Sequence, residues 1–98
     1  VTVTSYAIRH VWDGVQEVYF FHNGRGASVV RHKYSYGGPG GLWELAVLKG
    51  NEENSEIDYT TEVSSDVLGH LSDEDIKRVL SQIEALGDVE QPVETYRT

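Results

Sequence analysis

The chain has 98 residues, 39% hydrophobic and 24% charged, with a net charge of -8 and no cysteine. One domain is expected, burying roughly 60–65% of its unfolded surface around one modest core, with no disulfide framework and no thiolate site. No apolar run approaches the roughly 18 residues of a membrane span, and the N-terminal VTVTSYAIRH lacks the charged start and apolar stretch of a signal peptide. A soluble, cytoplasmic protein is the expectation.

The charge is unevenly placed. Residues 1–43 carry Arg9, Arg25, Arg31 and Lys33 against Asp13 and Glu17, a balance of +2. Residues 44–98 carry fourteen acids against Lys49, Lys77, Arg78 and Arg97, a balance of -10. Such asymmetry marks either two electrostatic faces or a domain kept soluble and monomeric by its acids.

Residues 3–11 alternate loosely, and Val15 to His22 (VQEVYFFH) is rich in β-branched and aromatic residues. Asp13-Gly14 between them predicts a hairpin turn. That register places Trp12 opposite Val15, His10 opposite Glu17, Ile8 opposite Tyr19 and Tyr6 opposite Phe21, an aromatic-aliphatic ladder on one face. Asn23-Gly24 signals a second turn, and Ala27 to about Lys33 a third strand, with Ala27, Val29, Arg31 and Lys33 on one side. Gly37-Gly38-Pro39-Gly40-Gly41 is expected to hold no regular structure and to form a long hairpin loop or mobile flap.

Leu42 to Leu48 (LWELAVL), an apolar run bounded by glycines, predicts the central strand. Glu44 interrupts it, and a buried carboxylate is costly unless paired; Arg31 or Lys33 is expected to reach it, or it lies exposed near the strand end. Glu56 to Thr61 alternates as a half-exposed edge strand, open to pairing with a second copy although its acids oppose that. Ser65 to Leu71 reads as a short turn of helix. Ser72 then caps a longer one, with Asp73, Glu74 and Asp75 in its first turn. Ile76, Val79, Leu80, Ile83 and Leu86 form its apolar stripe, and Gly87 ends it. The expected fold is α+β: an antiparallel four- to five-stranded sheet with one short and one longer C-terminal helix packed on one face. The domain spans 1–87, and 88–98 is expected as a flexible tail.

Little catalytic chemistry is legible. None of His10, His22, His32 and His70 sits in an H-x₃-H pair or close to a second ligand, so no metal site is assigned. Gly24 to Ser28 lacks the Lys-Ser/Thr ending of a phosphate loop. Ser28, Ser35 and His32 lack a strained elbow and an orienting acid. No catalytic residue and no cofactor is assigned, and the chain is read as a non-enzyme.

The best binding feature is Arg25, Arg31, His32, Lys33, Tyr34, Tyr36 and Trp43. Cations interleaved with aromatics suit a nucleic-acid platform, and the same residue types are enriched in protein-binding hot spots. The structural alternative packs the rings in the core and pairs the cations with the acidic helix. The negative total charge counts against nucleic acid. A third reading takes Asp66, Asp73, Glu74, Asp75 and Glu84, with Glu52, Glu53, Glu56 and Asp58, as an acidic surface imitating a phosphate backbone; its alternative is a solvated helix face.

HNGRGASVVRHKYSYGGPGGLWELAVL, followed by SSDVLGHLSDEDIKRVLSQIEALG, resembles a family of small proteins of tailed phages and prophages of actinobacterial hosts. The pattern is a glycine turn, GASVVRH, an aromatic Y-S-Y-G-G segment, G-L-W-E-L-A-V-L, then D-V-L-G-H-L before a short amphipathic helix, over roughly residues 12–87. The resemblance implies an accessory protein made in a bacterial host and names no functional residue. The resulting expectation is a phage-type accessory protein that binds a host or phage protein, in one way as an inhibitor, with nucleic-acid binding and acidic mimicry as alternatives. No membrane partner is expected, and monomer and homodimer both remain open.

Overall fold

A computed structural model of the chain describes residues 2–89. Its elements are β1 (Ser5–Val11), β2 (Gly14–Phe20), β3 (Arg25–Arg31), a 3-10 turn (Gly38–Gly40), β4 (Trp43–Gly50), β5 (Ser55–Ile57), β6 (Leu68–Leu71) and α1 (Asp73–Glu84). The strands form one antiparallel sheet in the order β1-β2-β3-β4. The far edge of β4 is shared: β5 pairs with it around Leu48–Gly50, and β6 around Trp43–Leu45. The α+β class is as expected, with six strands and one helix among the described residues.

The first hairpin differs from its expected register. Val15 pairs with His10 instead of Trp12, Ile8 with Glu17, and Tyr6 with Tyr19. The turn residues are Trp12 and Asp13, with Trp12 left-handed at φ 49. Gly14 serves a different purpose from the one expected. A Cβ there would lie 1.8 Å from the Arg31 carbonyl oxygen, so close approach to β3 requires the glycine. Because the partner moves by two positions, face assignments survive. Tyr6 meets Tyr19 in place of Phe21, their rings 5.0 Å apart.

Three further expectations are corrected. The stretch expected as a short helix is strand β6. Its spacing of Leu68 and Leu71 looks helical, but a bulge against Trp43–Leu45 takes up the one extra residue, and His70 sits at φ 57. The glycine segment is an ordered turn. Gly37 and Gly41 are both left-handed, and Gly40 N–H and Leu42 N–H both donate to the Gly37 carbonyl. The edge strand β5 stops at Ile57, because Asp58 turns inward and is buried.

The helix covers the middle of the sheet. Ile76, Val79, Leu80 and Ile83 pack on Phe21, Ala27, Val29, Trp43, Leu45 and Val47; Leu86 is half-buried. Val18, Phe20 and Leu48 form a smaller cluster on the opposite face. At the helix start, Ser72 Oγ accepts from Asp75 N–H at 3.1 Å while Ser72 N–H donates to Asp75 Oδ2 at 3.0 Å. The Ser-x-x-acid spacing thus forms a reciprocal capping box.

The helix end is capped by a residue distant in sequence. Asn23, buried in the β2–β3 turn, points its Nδ2 at the carbonyls of Ile83 (2.9 Å), Glu84 (3.2 Å) and Leu86 (3.0 Å). Its Oδ1 accepts Arg25 N–H at 3.1 Å, and its own carbonyl accepts Val89 N–H at 2.9 Å. These contacts satisfy orphan carbonyls and fix α1 to the hairpin. Asp88 and Val89 are described; the rest of the expected tail, 90–98, lies outside the described residues.

Asn23→Ala takes the side-chain donor from the Glu84 and Leu86 carbonyls and leaves Ile83 O only the Ala85 and Leu86 N–H groups. Urea unfolding of this variant is expected to show a loss of about 2 kcal/mol, whereas an exposed turn asparagine would show a few tenths.

Candidate functional site

The segment expected to bind divides into two groups. Arg25, Arg31 and Trp43 face inward. Arg25 Nη1 lies 3.2 Å from Asp58 Oδ2, and its Nε donates to the Gly87 carbonyl at 2.8 Å. The Arg31 guanidinium covers the Trp43 ring at 4.1 Å and donates to the Gly41 carbonyl at 3.2 Å. Trp43 is buried, with Nε1 donating to Asp73 Oδ1 at 2.9 Å. The expected contact of Glu44 with Arg31 or Lys33 is not formed. Glu44 Oε1 instead accepts Tyr36 N–H at 2.9 Å, so a backbone donor satisfies the carboxylate.

His32, Lys33 and Tyr34 follow β3 in a tight turn at one end of the sheet. Buried Ser35 locks it: His32 N–H donates to Ser35 Oγ, and Ser35 O–H donates back to the His32 carbonyl, both at 2.9 Å. Tyr34 N–H donates to His32 Nδ1 at 3.1 Å. Lys33 N–H donates to Asp13 Oδ1 at 2.9 Å and ties this turn to the β1–β2 turn.

That tie brings in a residue missed in the sequence. Trp12, 71% exposed, packs on His32 at 4.6 Å and on Tyr34 at 5.3 Å between ring centroids. His32 and Tyr34 are 6.3 Å apart, and Lys33 Nζ is 5.2 Å from the Tyr34 ring. A shallow groove beside them is lined by Asp13, Val15, Arg31, His32, Lys33 and Pro39. The expected register placed Trp12 on a strand face. The available signal was a tryptophan directly before Asp-Gly, where a strand turns and a large ring is left outside. Tyr36 is also exposed but lies apart from this cluster; its carbonyl accepts His70 N–H at 3.1 Å, and Gly69 packs under its Cβ.

Two carboxylates are held ionised by structural contacts. Burial opposes the charge on Asp58. Thr60 opposes that effect, donating from N–H at 2.8 Å and O–H at 2.5 Å, and together with Lys49 and Arg25 it keeps the carboxyl below its ordinary range. Asp75 is lowered to about 2, first by Ser72 N–H and then by Arg78 at 2.7 Å. Burial, with Glu17 accepting its hydroxyl at 2.5 Å, pushes the Tyr19 phenol up.

Among the described residues, no three metal-ligating side chains converge, and no helix is long and apolar enough to cross a membrane. No protein-family model, curated protein or solved structure matches the chain.

Two outcomes are expected. Acrylamide should quench Trp12 and spare Trp43, read by comparing Trp12→Phe with Trp43→Phe. Stability should fall on acidification: both folded carboxyl pKa values lie below the unfolded value of about 3.9, so their contribution is complete above about pH 4 and is lost as pH falls through the folded values. A thermal midpoint measured from pH 6 to pH 2 checks this, and Asp58→Asn should flatten the slope.

Proposed function

We propose that the chain is a small accessory protein of the phage type that binds another protein through Trp12, His32 and Tyr34, with Lys33 at their edge. One observation carries this reading: a 71%-exposed tryptophan is held in a left-handed turn at φ 49, packed tilted against one ring and edge-on against another. Bulky residues rarely adopt that backbone, and such strain persists where a function rewards it. Tryptophan and tyrosine anchors dominate protein-binding hot spots. Inhibition of a host or phage protein is the proposed consequence of occupying its surface.

The nucleic-acid alternative has less support. Arg25 and Arg31 are engaged internally, leaving Lys33 as the exposed cation of the segment on a chain of net charge -8. The acidic-mimic alternative loses Asp58 to burial, while Asp73 and Asp75 serve Trp43 and the helix cap.

The test is retention from nuclease-treated actinobacterial lysate, wild type against Trp12→Gly and Tyr34→Ala. Wild type should retain one protein, and each variant should lose it at least tenfold. Trp12→Gly exchanges an exposed stacking contact for relief of the strained backbone, so its stability should stay within about 1 kcal/mol of wild type. Retention abolished by nuclease and steeply salt-dependent would instead support nucleic acid.

A further inference from the structure

The two edges of the sheet are treated differently. On one side, β5 has three residues, includes Glu56, and follows the acidic turn containing Glu52 and Glu53. Short, charged edges resist pairing. On the other side, β1 is seven residues long, SYAIRHV, and no described residue pairs with its outer edge. It contains no Lys, Pro, Asp or Glu and no bulge along Ser5–Val11. Its largest hydrophobic side chains, Tyr6 and Ile8, are 49% and 56% exposed, because α1 covers β3 and β4 and stops short of β1.

The ladder determines which backbone groups of β1 face outward. Phe21 N–H donates to the Arg25 carbonyl, so the odd residues of β2 turn their N–H and C=O groups toward β3. The even residues of β2 therefore turn toward β1. Their partners, Ser5, Ala7, Arg9 and Val11, point inward. Tyr6, Ile8 and His10 are left with N–H and C=O groups on the outer edge.

We propose that this edge pairs with β1 of a second copy, antiparallel, about a two-fold axis at Ile8. This inference concerns a surface distinct from the aromatic cluster and does not rest on the function proposed for it. In this register Ile8 faces Ile8 of the second copy, and Tyr6 faces His10. It is the register in which all three outward residues find outward partners, so all their N–H and C=O groups are satisfied together. Charge permits it. The one Arg in the strand, Arg9, falls opposite Ala7 of the second copy and never opposite itself, and no acid enters the seam. The two-fold axis keeps both helices on one face. It joins the Tyr6–Tyr19 pair of each copy across a floor of Ile8 side chains, and sets the two Trp12 residues roughly 27 Å apart along the strand direction.

Sedimentation equilibrium of the full chain tests this, with backbone exchange at Tyr6, Ile8 and His10 as second readout. Wild type should approach twice its 11.0 kDa mass at high micromolar concentration. Ile8→Lys, which sets two like charges face to face, should weaken the dimer at least tenfold. Ile8→Pro removes an N–H that the β1–β2 ladder does not use, so it should also give a monomer with the fold retained. In the wild type the three amides should be protected at high concentration and lose that protection on dilution. A monomer at all concentrations overturns the proposal. So does a dimer indifferent to both substitutions, and so does a monomer whose Ile8 amide is protected, since the edge would then be covered by something other than a second copy.

Discussion

Arg25 is the residue on which the arrangement of the rest depends. Its guanidinium bridges Asp58, beyond β5, and the Gly87 carbonyl, beyond α1. Its backbone N–H is held by Asn23, whose side chain caps the same helix end. One hairpin turn therefore anchors both the crossing loop and the single helix to the sheet. The pair is expensive to desolvate; Thr60, Lys49 and Arg25 hold Asp58 ionised, and the Gly87 carbonyl accepts from the Arg25 Nε.

This commitment decides which surfaces remain for function. A segment of alternating cations and rings divides at the end of β3. Arg25, Arg31 and Trp43 are folded into the domain, and Arg31 shields the Trp43 ring much as a core aliphatic would. Beyond Arg31 the chain turns sharply. Ser35 and Asp13 pin the turn, and the rings of His32 and Tyr34 are set against Trp12 outside the sheet. The exposed aromatic surface is built from two turns that the sequence separates by about twenty residues, held together by one carboxylate.

Most of the fold was legible in the residues. Ser72 with Asp75 and the stripe from Ile76 to Ile83 specify a capped amphipathic helix, because those signals are local and repeat at the helical period. LWELAVL specifies a buried strand for a similar reason. Two of the differences share one cause. Gly14 and Gly38 read as turn or loop punctuation, but each is needed where backbone from elsewhere approaches: Arg31 and His32 respectively. Close approach is a tertiary property and leaves no periodic trace. The site was half legible for the same reason. His32, Lys33 and Tyr34 stood together in sequence, whereas Trp12 joined them only through the Asp13 link, and the inward turn of Arg25 depended on Asp58, which is 33 positions away.

The division between inward cations and outward rings is measured most directly by urea unfolding of Arg25→Ala beside Trp12→Ala. Removing Arg25 takes the guanidinium from the buried Asp58 carboxylate and the Nε donor from the Gly87 carbonyl, and a loss of about 3 kcal/mol is expected, with Trp12→Ala within about 1 kcal/mol of wild type. An Arg25→Ala protein as stable as wild type, or a Trp12→Ala protein that unfolds first, would contradict the account: the cations would then be the free surface and the aromatic cluster a part of the core.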